Sequence, residues 1–164
     1  MMKKILWLVI IAGAVATVAA LGQPKSDKGV VRGVVEEAAR TAIDGVNGRN
    51  PSAINRYFAS IEEGAQAGGL SETQEPYRAF VGQLPSGMTA QLHSLDIEAV
   101  EVHDEAGLAR VSYSAHVSLI RGGAAIYTAT LRQNVALMKT DRGWLISGGD
   151  ALQLDDITGT WPVR

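Results

Sequence analysis

Leu108-Ala109-Arg110-Val111-Ser112-Tyr113-Ser114-Ala115-His116-Val117-Ser118-Leu119-Ile120 alternates along its whole length. Val111, Tyr113, Ala115, Val117 and Leu119 fall on one side; Arg110, Ser112, Ser114, His116 and Ser118 fall on the other. A period of two is the mark of a strand with one buried face. The same period holds from Met88 onward and predicts four strands: Thr89 to His103, Leu108 to Ile120, Ala124 to Lys139 and Trp144 to Gln153. Asp104 to Gly107, Arg121 to Gly123 and Thr140 to Gly143 separate them. These are turn compositions at hairpin lengths, so the strands form an antiparallel meander.

Burial of one face constrains the register, because a slip of one residue exposes the whole apolar set. A two-residue Gly122-Gly123 turn would set Ser118 beside Tyr127 and mix the faces. A three-residue loop sets Val117 beside Tyr127 and Tyr113 beside Leu131, and is preferred. A four-residue loop from Thr140 to Gly143 pairs Leu137 with Ile146 and Gln133 with Asp150. In the first strand Leu95 and Ile97 oppose Val100 and Val102, which predicts a β-bulge near Glu98-Ala99.

Upstream the period is helical. Val30, Val31, Val34, Val35, Ala38, Ala42, Ile43 and Val46 make one apolar stripe, with Glu36, Glu37, Arg40 and Asp44 opposite. Gly33 and Gly45 weaken this helix, so packing must hold it, and Gly48 ends it. Asn50-Pro51 reads as the start of a second helix carrying Ile54, Tyr57, Phe58 and Ile61. Thr73 caps a third, with Pro76 in its first turn and Tyr77, Phe80, Val81 and Leu84 on its apolar face. The class is therefore α+β: three helices packed on one face of a curved four-stranded antiparallel sheet.

Met1-Met2-Lys3-Lys4 precedes an uncharged run from Ile5 to Gly22. At about 1.5 Å per residue this N-terminal apolar helix spans roughly 27 Å, enough for a thin bilayer core. The lysines keep the N-terminus cytoplasmic and send the remainder across. Residues 1–22 are thus a signal-anchor, or a signal peptide cut near Val18-Ala19-Ala20 or Ala20-Leu21-Gly22, and both fates stay open. Residues 23–29 read as a linker, 30–154 as the domain and 155–164 as an irregular tail in which Trp161 either docks on the core or meets a partner. The expected location is the cell envelope, outside the cytoplasm: membrane-bound through residues 5–22, or secreted if that segment is removed.

Composition narrows the function classes. Apolar residues at 46 % and charged ones at 20 % describe a globular chain. Net charge is −2 without a dense basic run. Nucleic-acid binding, which needs a row of cations, is therefore excluded. With no cysteine there is no thiol catalysis, zinc-thiolate site, disulfide or lipid-modified N-terminal cysteine. His93, His103 and His116 match no helical ligand pair and read as surface groups, so no metal and no cofactor is expected. Asp96 and Glu98 read as solvent-exposed.

The order of elements resembles a known superfamily. An amphipathic first helix is followed by Asn50-Pro51-Ser52-Ala53-Ile54 with Tyr57-Phe58. Then comes a meander whose last strand opens Asp141-Arg142-Gly143-Trp144-Leu145-Ile146. From Val30 to about Leu154 this is similar to the nuclear transport factor 2-like superfamily, the cystatin-like cone. The resemblance implies a conical pocket and places Trp144 in the core. It spans ketosteroid isomerase-like and polyketide cyclase-like (SnoaL-like) enzymes as well as non-catalytic envelope domains, and a shared fold does not choose among them. Glu62 to Glu72 is Gly-rich and lacks the small hairpin often found there.

On the chosen parity Tyr113, Tyr127, Gln133 and Asp150 face inward, and Tyr57 joins them as a pocket-lining candidate. Two functions follow. The first is a non-catalytic envelope domain binding a small apolar ligand or a protein partner, including a structural accessory to a membrane complex. The alternative is a small cofactor-free lyase or isomerase. Asp150 would be its general base, and a pocket tyrosine would donate to a developing enolate oxygen. Against the enzyme, the first helix lacks the tyrosine that ketosteroid isomerase-like enzymes place there, and Asp150 can instead pair with Gln133 in water. The outer sheet face carries Arg110, Ser112, Ser114, His116, Ser118, Thr128, Thr130, Arg132 and Asn134. It is the dimer face in relatives, but here it is polar enough for a solvated surface or a weak homodimer.

Overall fold

An amphipathic helix gains little alone, and a half-apolar sheet must cover its apolar face; in this chain each covers the other. The computed structural model describes residues 27–60 and 71–162. Its elements are α1 (Asp27–Asn47), a 3₁₀ turn at Asn55–Tyr57, α2 (Ser71–Gln83), β1 (Met88–His103), a second 3₁₀ turn at Asp104–Ala106, β2 (Leu108–Arg121), β3 (Ala124–Thr140), β4 (Gly143–Gly149) and β5 (Gln153–Gly159). The sheet is antiparallel in the order β1-β2-β3-β4, and β5 also pairs with β3. The class is α+β with a curved sheet, of five strands rather than four. The expected apolar helix of residues 5–22 lies outside the described residues, and no described helix is long and apolar enough to cross a membrane.

The apolar stripe of α1 is buried through Val31, Val35, Ala38, Ala42 and Val46. It lies in one core with Val111, Tyr113, Ala115, Val117 and Leu119 of β2 and Tyr127, Ala129, Leu131, Val135 and Leu137 of β3. The helix starts at Asp27, so part of the expected linker is helical. Lys139 Nζ lies 2.9 Å from Asp27 Oδ2. That ammonium holds the Asp27 carboxyl below its usual range, and the hydrogen bond with Asp27 raises its neighbour Asp104. A helix start tied to β3 in this way has no reason to be a loop.

Asn50-Pro51 opens turns, not an α-helix. Ser52 N–H donates to Asn50 Oδ1 at 3.1 Å, as a cap would have it. The following N–H groups then bond three residues back, Asn55 to Ser52 at 3.1 Å and Tyr57 to Ile54 at 3.0 Å. The tighter winding delivers Phe58 to the edge of β4, where it bridges Ile146 in parallel and Ala59 N–H donates to Ile146 O at 2.9 Å. Ile54, Tyr57 and Phe58 are buried as their spacing suggested; Ile61 lies outside the described residues. The helix expected at Thr73 begins at Ser71, which puts Pro76 inside it and not in its first turn.

The strand faces are as the alternation indicates, but bulges set the registers. The β2–β3 hairpin closes through the two-residue Gly122-Gly123 turn, with φ of 59° and 81°, the left-handed pair such a turn requires. Ile126 is an extra residue that restores parity, so Leu119 meets Tyr127, Val117 meets Ala129 and Tyr113 meets Gln133. The predicted three-residue loop is corrected accordingly. In β1 the expected bulge falls at Glu98, and a second at His93. Leu137 pairs with Ile146 as expected, but Ser147 is a bulge and Gln133 does not pair with Asp150. The tail read as irregular forms β5, because its main chain finds the free edge of β3.

Two connections rest on side chains of the α1 end. Arg49, at φ 55°, donates to the carbonyls of Leu84 (2.9 Å), Pro85 (2.6 Å) and Met88 (3.0 Å). Asn47 both donates to Ala90 O (3.1 Å) and accepts from Ala90 N (2.7 Å), filling a gap along the edge strand β1. Gly45 lets Tyr77 approach until its hydroxyl donates to Ala42 O at 2.9 Å. A Cβ at Gly45 would meet that hydroxyl and lie 2.7 Å from the Ala53 Cβ. Gly45→Ala is therefore expected to destabilise the fold by about 1–3 kcal/mol, despite alanine's better helix propensity. Urea denaturation checks this, and an unchanged midpoint would refute the close packing.

Candidate functional site

Strand β3 changes partner halfway. Residues 135 to 140 pair with β4 and residues 127 to 132 with β5, leaving Gln133 and Asn134 opposite no strand on that edge. Asp150 fills the gap: its N–H donates to Asn134 O at 2.9 Å and its carbonyl accepts from Gln133 Nε2 at 2.8 Å. A cleft of about 220 Å³ opens here, lined by Glu98, Ser112, Tyr113, Arg132, Gln133, Asn134, Asp150, Ala151 and Gln153.

Three of the expected residues meet at this cleft. Tyr113 is buried and donates to Gln133 Oε1 at 2.9 Å. Asp150 is exposed, and its Oδ2 accepts from Asn134 Nδ2 at 3.0 Å. The other two lie elsewhere. Tyr57 sits on the 3₁₀ turn, its hydroxyl 3.0 Å from Thr41 Oγ1 and 2.5 Å from Arg56 Nη2. Tyr127 packs edge-on against Trp161 at 4.9 Å between ring centres. Glu98 reaches the cleft because it is the bulged residue of β1. Arg132 and Asn134 come from the opposite face of β3 and enter at the strand gap, which no alternation pattern marks. The histidines meet outside: the His93 and His116 rings lie 5.2 Å apart, and His93 Nε2 is 2.7 Å from Ser118 Oγ.

The cleft's chemistry is hydrogen bonding. Arg132 lies 3.1 Å from Asp155 and 3.7 Å from Glu98. Ser112 donates to Asn134 Oδ1 at 2.6 Å. Asp150 is exposed and not enclosed by apolar groups as an interior general base would be. The phenol that would donate to an enolate is already committed to Gln133. Phe58, Phe80, Tyr77, Tyr113 and Trp144 are all buried in the core of the cone. Among the described residues no group of three or more His, Asp or Glu could hold a metal ion.

No protein-family model and no curated protein matches the chain. Solved structures do. The intermembrane space region of the chloroplast protein ARC6 is 13 % identical, with a TM-score of 0.56, covering 80 % of this chain and all of that one. Aln2 from a Streptomyces species is 17 % identical at a TM-score of 0.51, covering 82 % and 96 %. A domain of unknown function with a cystatin-like fold from Nostoc punctiforme is 16 % identical at 0.47, covering 77 % and 76 %. The chain has the cystatin-like, or nuclear transport factor 2-like, fold.

Two outcomes test the buried Tyr113–Gln133 bond and the buried phenols. Gln133→Ala leaves the Tyr113 hydroxyl without its acceptor and is expected to cost about 1–3 kcal/mol, whereas Tyr113→Phe removes only the donor and costs less. The order of the two urea midpoints is the check. Burial, with Asp44 nearby, pushes the Tyr77 phenol up to about 12, and burial pushes Tyr113 up as well. Both are raised above the unfolded value near 10, so their contribution is intact below about pH 10 and is lost as pH rises beyond it. Stability should fall by up to about 1.4 kcal/mol per pH unit for each tyrosine. Tyr113→Phe should shallow that slope; an identical slope would refute the assignment.

Proposed function

We propose that this chain is a non-catalytic cystatin-like domain of the cell envelope that binds a protein partner. It is tethered by residues 5–22, or released there if they are cleaved. The observation that carries the reading is the cleft at the strand gap: its lining is mostly polar, and its side chains are bonded to one another. Asp150 there is exposed. A wet, polar cleft of this kind suits a protein surface better than a small apolar ligand. The lyase or isomerase reading wants a shielded base beside a free phenol, whereas Asp150 is exposed and the Tyr113 hydroxyl at the same cleft is bonded to Gln133. The eighteen-residue apolar run behind two lysines supports the address. That the ARC6 region named for an intermembrane space shares this fold fits such a compartment.

Two measurements test it. The native full-length chain is expected in washed membranes, or in the extracytoplasmic soluble fraction with a new N-terminus near residue 21. Its presence in the cytosol with residues 1–26 intact would overturn the address. Titration with an environment-sensitive naphthalene dye is expected to show no saturable site. Stoichiometric uptake would restore a small apolar ligand in place of the protein partner.

A further inference from the structure

The arm from Leu152 to Pro162 is attached differently from the rest of the domain. Strands β1 to β4 are held by the common core. Strand β5 pairs with β3 alone, and five of its last six residues, from Asp155 to Gly159, are exposed together with Gln153. Leu152, Leu154 and Trp161 touch the core but are only partly buried. The remaining ties are polar and lie at the surface: Asp155 to Arg132 at 3.1 Å, Asp156 to Thr130 at 3.1 Å, and Thr158 to Thr128. Exposed ion pairs and hydroxyl contacts hold weakly.

Three features show that the arm fits its seat imperfectly. Asp156 adopts φ 50°, a left-handed conformation in a non-glycine residue, where β5 carries one residue more than β3. Ile157, next to it, is 52 % exposed. The Trp161 indole stacks between Phe80 (5.4 Å) and Tyr127 (4.9 Å), yet its buried Nε1–H finds no hydrogen-bond partner among the described residues. A segment with few buried side chains opens locally before the domain unfolds. When it opens, it uncovers the β3 edge from Tyr127 to Arg132 and an aromatic seat between Phe80 and Tyr127.

We propose that this edge and seat are a docking site for an extended, acidic segment of a protein partner carrying an aromatic residue, and that the β5–Trp161 arm is its intramolecular stand-in. The inference deepens the partner-binding reading and rests on it. An added strand draws affinity from main-chain hydrogen bonds and specificity from side-chain seats. The arm itself shows what the seats select: carboxylates opposite Arg132 and Thr130, then an aromatic ring beyond a residue able to turn the chain. Gly159 makes that turn, with φ 83°, and Thr160 N–H donates to Ile126 O at 3.2 Å.

The test uses the full chain and a labelled peptide of residues 152–162. In the wild-type chain, β5 amides should exchange hydrogen at least ten-fold faster than those of β2. Trp161→Ala in the full chain should bind the peptide at least ten-fold more tightly than wild type does. A peptide with alanine in place of the tryptophan should lose that gain. Equal exchange in β5 and β2, or equal binding of the two peptides, would overturn the proposal. Trp161→Leu serves if the alanine variant does not fold, and wild-type exchange decides in either case. Failure here removes the seat while leaving a partner docked elsewhere; saturable dye uptake removes the partner reading itself.

Discussion

Side chains alternate along a strand, and a sheet covered on one side tolerates apolar groups on that side only. Strands of fourteen to seventeen residues that curve around a helix cannot keep both pairing and parity over such lengths. The chain resolves the conflict by inserting single residues. His93 and Glu98 in β1, Ile126 in β3 and Ser147 in β4 each add one position without a partner. In β1 they let Met88, Ala90 and Leu92, then Leu95 and Ile97, then Val100 and Val102 all face the core. Bulges also sharpen the twist, which gives the sheet the curvature that α1 fills.

Inside that curvature Tyr77 and Tyr113 are among the largest fully buried side chains, and Phe58 and Trp144 are buried in the same core. The polar ends of the two tyrosines are satisfied by Ala42 O and Gln133 Oε1. Among the described residues the surface offers the polar strand gap at Asp150 and the serine- and threonine-rich outer face, while β5 covers part of one edge of β3.

Much of this was legible because burial leaves a periodic trace. Val111 to Leu119 announced their common face, and the parity that grouped Tyr113, Gln133 and Asp150 brought them to one neighbourhood. Registers were less legible. Nothing about Ile126 marks it as a bulge, and without one the alternation favours a longer loop over the Gly122-Gly123 turn. Asn50-Pro51 is a start signal for α- and 3₁₀-winding alike, and only the pull of Phe58 toward β4 decides between them. Strand β5 was hidden because Asp155-Asp156-Ile157-Thr158 is held by main-chain bonds, which leave no hydrophobic pattern. Arg132 and Asn134 enter the cleft only because β3 changes partner beside them, a tertiary event.

Arg49 carries a kinetic implication. Its guanidinium terminates α1 in space while neutralising three carbonyls of the turn between α2 and β1, thirty-five to thirty-nine positions downstream. The Asn47 amide, bonded to both main-chain groups of Ala90, adds a second tie between the same two places. The two halves of the chain therefore gain their order together. A nascent polypeptide emerging helix-first lacks these partners until Leu84 to Ala90 have been made.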